Sequence, residues 1–167
     1  MINEKYSILF SSMTGNTKML ADAIADVLPK ENCEVFGKTG EKMPETEMLY
    51  IGFWTDKGNA DPATLELLKV LTNKKIFLFG TAGFGVSDEY FQKVLGNVRQ
   101  AIDGSNKIVG EYMCQGKMPQ AVRDRYVKMK EDPEHMPPNI DTLIENFDLA
   151  LSHPDEADLE NLKKAVQ

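Results

Sequence analysis

Apolar runs and helically spaced apolar positions alternate through the first two thirds of this chain. Tyr6–Phe10 is an apolar stretch of strand character. Lys18–Leu28 then carries Leu20, Ile24, Val27 and Leu28 on one helical face and stops at Pro29. Glu34–Phe36 is a short second strand. Met48–Phe53 and Ile76–Gly80 are almost continuously apolar, the pattern of strands buried on both faces. Asp61-Pro62 opens a helix bearing Leu65, Leu68 and Leu71, with proline where its missing N–H costs nothing. Phe91, Val94, Leu95, Val98 and Ile102 mark a third helix, for which Ser87 is the expected cap. Lys107–Cys114 is a fifth strand. Such alternation predicts an α/β fold: a parallel sheet with helices on both faces and right-handed crossovers. Ligands of such sheets sit outside the carboxyl ends of the strands, so the loops after each strand matter most.

The last fifty residues or so read differently. Pro119–Lys130 is a charged helix with a thin apolar stripe of Val122, Tyr126 and Met129. Glu131–Asn139 contains Pro133, Pro137 and Pro138 and reads as a linker. Ile140–Leu151 is amphipathic, and its apolar face is expected to cover the sheet. Ser152-His153-Pro154-Asp155 resembles the capped start of a last helix bearing Leu159, Leu162 and Val166. The chain is expected to form one domain over residues 1–167, with a core at 5–115 and a helical segment at 119–167.

Composition narrows the partners. The 26 acidic residues outnumber the 19 basic ones, giving a formal charge of -7. Nucleic acid binding, which needs clustered Lys and Arg, is not expected. An acidic surface suits docking to a basic patch on another protein. No apolar run approaches a membrane span, and the first residues lack the layout of a signal peptide, so a cytoplasmic location is expected. The 2 cysteines and 2 histidines give no metal-ligand pattern. Cys114 reads as a buried structural thiol, since no histidine or second thiol adjoins it.

Three loops carry candidate chemistry. At the first strand–helix junction stands Ser11-Ser12-Met13-Thr14-Gly15-Asn16-Thr17. Gly15 permits a tight turn, the first helical N–H groups are free, and hydroxyls and an amide add donors. Neither a G-x-x-x-x-G-K-[ST] nor a G-x-G-x-x-G pattern is present, and no Lys or Arg lies within the loop. A single terminal phosphate fits this loop better than a triphosphate with magnesium. The plain alternative is an ordinary helix cap. After the third strand, Phe53-Trp54-Thr55-Asp56-Lys57-Gly58 carries the sole tryptophan, suited either to capping the core or to stacking on a flat ligand. Gly58 allows a peptide plane to turn over. After the fourth strand, Thr81-Ala82-Gly83-Phe84-Gly85 lets the backbone approach a flat ring and offer it N–H groups.

These loops on an alternating sheet resemble the flavodoxin family. Its [ST]-x-T-G-N-T phosphate signature stands intact as Ser12-Met13-Thr14-Gly15-Asn16-Thr17. The resemblance implies a three-layer sandwich around a five-stranded parallel sheet in the order 2-1-3-4-5, with extra C-terminal helices. It implies FMN as cofactor. Ser12 to Thr17 would hold its phosphate, Phe53, Trp54, Thr55, Asp56, Lys57 and Gly58 one side of its ring, and Thr81, Ala82, Gly83, Phe84 and Gly85 the other. No catalytic residue and no metal is expected. The second ring loop lacks the usual tyrosine until Tyr90, and Lys57 stands where acidic or neutral residues are common. The stretches Ile51–Gly58 and Cys114–Met118 look like those of short flavodoxin-like proteins of anaerobic bacteria, one group of which accompanies bilirubin reductases.

The implied function is electron transfer to or from a redox partner enzyme, by a monomer or weak dimer. The alternative is an FMN-dependent reductase acting directly on a small aromatic or tetrapyrrole substrate. A phospho-acceptor receiver is disfavoured, because the first and third strands end in Ser11-Ser12 and Phe53-Trp54 rather than acidic residues. With the strand order 2-1-3-4-5, Cys33 and Cys114 fall on opposite edges, roughly 19 Å apart at about 4.8 Å per strand spacing. A disulfide needs Cα atoms within about 7 Å. Equal thiol counts in denaturant, with and without reductant, are therefore expected; a lower count without reductant would refute the arrangement.

Overall fold

The computed structural model describes residues 4–83 and 87–167, so Phe84 and Gly85 of the second glycine loop lie outside the described residues. Its elements are β1 (Tyr6–Phe10), α1 (Asn16–Val27), a 3-10 turn (Lys30–Asn32), β2 (Cys33–Lys38), β3 (Met48–Asp56), β4 (Asn59–Ala60), α2 (Pro62–Val70), β5 (Lys75–Ala82), α3 (Asp88–Arg99), β6 (Lys107–Gln115), α4 (Gln120–Lys130), α5 (Ile140–Ala150) and α6 (Glu156–Val166). The main sheet is parallel and runs β2-β1-β3-β5-β6. With the short hairpin strand β4 set aside, this is the expected order 2-1-3-4-5.

Burial follows position in the sheet. All of β1 is buried, as are the first six residues of β3, whereas the edge strand β2 alternates half-buried and exposed residues. Side-chain alternation divides the core into two layers. Ile8, Tyr50, Phe77 and Phe79 face Leu20 and Ile24 of α1 and Leu162 and Val166 of α6. Leu9, Ile51, Phe53 and Leu78 face Leu67 and Leu68 of α2 and Val94, Leu95 and Val98 of α3. Full burial of such a side chain contributes about 1.5–3 kcal/mol.

The layers interlock where β3 meets β5. Gly52 pairs with Phe79, and Phe53 with Gly80. A Cβ on Gly52 would lie 2.3 Å from the Phe79 ring, and one on Gly80 2.3 Å from the Phe53 ring. Each ring thus lies flat over its neighbour's missing side chain, on opposite faces of the sheet.

Two features differ from expectation. The apolar face of α5 does not cover the sheet. It packs on α4 instead, in a small separate core of Tyr126, Ile140 and Phe147 with Met118, Val122 and Leu143. The sheet is covered on that side by α1 and α6. The periodicity of α5 defines an apolar face but not what covers it. Second, β3 runs on past the buried run and folds back as a hairpin with β4, pairing Asp56 with Asn59. Its turn residues Lys57 (φ +53) and Gly58 (φ +79) both have positive φ, as in a type I′ turn.

Helix caps match the sequence. Asp61 accepts a hydrogen bond from the Thr64 N–H at 3.2 Å, and Ser87 from that of Tyr90 at 3.3 Å. Asp155 and Asp158 form a reciprocal capping box on α6. Cys33 and Cys114 are free thiols on the two edge strands. Burial pushes the Cys114 thiol well up, and the charges of Asp158 and Asp155 add to the effect. It is accordingly a poor nucleophile at neutral pH.

Gly80→Ala should cost about 1–3 kcal/mol through overpacking, read as a lower urea midpoint, and Phe53→Leu in that background should recover part of the loss. At the hairpin, Gly58→Ala should destabilise by about 1–2 kcal/mol, since an L-residue disfavours left-handed backbone. Lys57→Asn should raise the midpoint, because asparagine tolerates that conformation.

Candidate functional site

The loop after β1 presents backbone donors at the start of α1. Gly15 is the N-cap of α1, at φ +86, and offers no side chain to cap the helix. Among the described residues, the backbone N–H groups from Met13 to Thr17 meet no backbone acceptor. The positive end of the helix dipole adds to this row of donors. Beside the loop lies a cavity of about 310 Å³, lined by Phe10, Ser11, Ser12, Gly15, Lys18, Lys38 and Thr39. Two ammonium groups line it and no carboxylate does. Lys18 is shared with Asp22 at 3.0 Å. Sequence spacing alone does not reveal Lys38. The β1–β2 register, which pairs Phe10 with Lys38, brings it to the loop.

The side chains of the same loop mostly turn into the protein. The Thr17 hydroxyl donates to the Phe53 carbonyl at 3.2 Å and lies 3.3 Å from the Thr81 hydroxyl. The Asn16 amide and the Thr14 hydroxyl donate to the Lys117 carbonyl, at 2.8 and 3.2 Å. Ser12 Oγ accepts from the Lys18 N–H at 3.4 Å. Met13 is exposed. The Thr17 and Thr14 hydroxyls and the Asn16 amide therefore anchor the loop to β3, β5 and the segment after β6, leaving the backbone donors from Met13 to Thr17 for a ligand.

The hairpin β3–β4 forms the second wall. Phe53 is fully buried in the α2–α3 layer, while Trp54 is half-buried and belongs to neither core layer. By strand alternation Trp54 shares the sheet face of its register partner Thr81, the face from which α1 rises. The Thr55 hydroxyl donates to the Thr81 carbonyl at 2.8 Å. Buried Asp61 accepts from the Trp54 N–H at 3.3 Å, so the cap of α2 also clamps the hairpin base. Asp56 and Lys57 lead into the turn, where the Gly58 carbonyl accepts from the Asn97 side chain of α3 at 2.8 Å.

The loop after β5 forms the third wall. The Ala82 carbonyl accepts from the Gly116 N–H at 3.0 Å. The Gly83 carbonyl accepts from Gln115 at 3.1 Å and from Asn146 of α5 at 3.0 Å. Gln115 ends β6 and Lys117 lies in the loop after it, whose place at the carboxyl end of a strand is expected to open it on the same rim. Asn97 and Asn146 are contacts that the sequence did not signal.

His153, Asp155 and Asp158 also converge, with ligand-type atoms all within 4.8 Å. His153 Nδ1 lies 2.6 Å from Asp158 Oδ2, and both carboxylates take backbone N–H groups of the α6 cap. Helix capping accounts for this group. Among the described residues, no helix is long and apolar enough to cross a membrane.

The comparisons with known proteins agree with this architecture. A flavodoxin domain model matches residues 7–167. The flavodoxin-like domain-containing protein BilS of Clostridium symbiosum (strain WAL-14163) is 39% identical, the match covering 93% of this chain and 90% of that protein. BilS of Clostridioides difficile (strain CD3) is 32% identical, over 93% of this chain and 90% of that protein. Among solved structures, oxidised flavodoxin 2 from Bacillus cereus superposes with a TM-score of 0.54 at 16% identity, over 97% of this chain and 94% of that one. The strand order, the anion-facing loop at the first strand–helix junction and the near full-length match together make this chain a member of the flavodoxin family.

Proposed function

We propose that this chain binds FMN and works as an electron carrier for a redox partner enzyme. The observation that carries the reading is the loop Ser12–Thr17. A row of free backbone N–H groups, a helix dipole and two lysines beside a carboxylate-free cavity fit a phosphomonoester dianion. Ser12, Met13, Thr14, Gly15, Asn16 and Thr17 would surround the phosphate. Trp54, outside both core layers, is free to lie against a flat ring. The hairpin residues Phe53 to Gly58 would form one wall for that ring, and Thr81 to Gly83 the other. When bound, FMN supplies one- and two-electron transfer at its isoalloxazine ring. The chain's own residues position and bias it. Lys57, exposed at the hairpin tip, favours added negative charge on the ring and so a higher reduction potential.

The carrier reading also draws on the charge of -7, which suits docking to a basic partner surface. The resemblance to proteins that accompany bilirubin reductases makes such an enzyme the first partner to test.

Purified protein should be yellow, and the flavin-free protein should quench FMN fluorescence on titration. Lys38→Gln should weaken FMN about fivefold to tenfold, the loss of one charge-assisted contact, and leave riboflavin affinity unchanged. A colourless protein that leaves FMN fluorescence unquenched would overturn the reading. Electron transfer to a partner should slow as salt is raised. Turnover of a tetrapyrrole by the reduced protein alone would replace the carrier with a reductase.

A further inference from the structure

We propose that helix α5 is part of the cofactor site, with Asn146 and Gln115 acting as positioning residues that fix the Gly83 carbonyl. The inference rests on the FMN reading above and adds the element that sets the ring's second wall.

Along a strand, successive carbonyls point to alternate sides. At the end of β5 the Thr81 carbonyl faces β3, where it takes the Thr55 hydroxyl, and the Ala82 carbonyl faces β6, where it takes the Gly116 N–H. Continued alternation would return the Gly83 carbonyl to the β3 side, into the space between the two walls. Instead it is held on the β6 side by two amides, Gln115 Nε2 at 3.1 Å and Asn146 Nδ2 at 3.0 Å. Gln115 Nε2 also lies 3.3 Å from Asn146 Oδ1, so each amide orients the other. A trans peptide sets N–H opposite C=O. With the Ala82 carbonyl fixed toward β6, the Gly83 N–H is left toward the hairpin, where the polar edge of a ring needs a donor, and the clamp keeps the Gly83 oxygen out of that space.

The clamp is stiff because its supports are. Gln115 is buried. Asn146 precedes Phe147, which is fully buried in the α4–α5 core. Arg123 of α4 makes a two-point ion pair with Asp148 of α5, at 2.8 and 3.1 Å. Met118, which packs on that core, fills the space beside Gly83: a Cβ there would lie 2.3 Å from its Cγ. The small helical core that does not cover the sheet thus has a physical connection to the loop.

Asn146→Leu keeps the volume, raises helix propensity and removes the donor. In the flavin-free full-length protein, hydrogen exchange of the segment around residues 80–83 should quicken about fivefold. FMN and riboflavin affinity should fall together, again about fivefold, unlike the FMN-selective loss expected of Lys38→Gln. The reduction potential should drop, because a freed carbonyl turning toward the ring opposes negative charge there. Gln115→Met should act the same way from the other support and decides the matter if Asn146→Leu fails to fold. Glu145→Gln, on the exposed side of α5, should change none of these. Unchanged exchange and unchanged flavin affinity in both variants would overturn the proposal. If the wild-type protein binds no flavin, the FMN reading fails, and exchange alone then tests the clamp.

Discussion

The Thr17 hydroxyl is where the start of α1 meets both central strands of the sheet, β3 and β5. It donates to the Phe53 carbonyl of β3 and touches the Thr81 hydroxyl of β5. This contact depends on Gly52. A Cβ there would lie 2.9 Å from the Thr17 methyl as well as within the Phe79 ring's space. Any larger residue would lift the start of α1 off the sheet and separate the anion-facing loop from the two walls beside it. The Gly52–Phe79 and Phe53–Gly80 pairs serve the same end, locking β3 and β5 in the register that brings Trp54 level with Thr81.

Around that point, the loops are fastened mainly through side-chain donors and backbone carbonyls. Lys117, Phe53, Thr81, Gly58 and Gly83 each offer a carbonyl to a side chain from another element. A carbonyl engaged in this way is turned outward and held, and its peptide presents its N–H elsewhere. The peptide of the Phe53 carbonyl gives its Trp54 N–H to Asp61, while the backbone N–H groups from Met13 to Thr17 meet no backbone acceptor among the described residues. The acidic residues that dominate the composition are absent from the lining of the anion-side cavity. The negative charge suits partner docking, and the local positive field suits the ligand.

Much of this was legible in the chain. Buried strands announced themselves as apolar runs, and Asp61-Pro62, Ser87 and Asp155 marked helix starts, because capping is local chemistry. The hydroxyl and amide cluster after the first strand was legible because its residues are contiguous. The β-hairpin that turns at Lys57-Gly58 was not legible, since β4 has only two residues and no apolar alternation. The packing of α5 was misread for a different reason. Amphipathic spacing reports that a face is covered without naming the cover, and here Tyr126 and Val122 of α4 provide it.

The sequence by itself determined the strand-first α/β class, the order of its longer elements and the run of polar residues after the first strand. Each depends on residues within a few positions of one another. Tertiary structure alone decided which groups complete the site. Lys38 comes from the neighbouring strand, Lys117 lies 101 positions from Asn16, and Asn146 lies 63 positions from Gly83. Their roles arise from strand register and helix docking. Hydrogen bonds at such separations leave no periodic trace in a chain, because they are set only when the sheet closes its order and the last helices pack against its end.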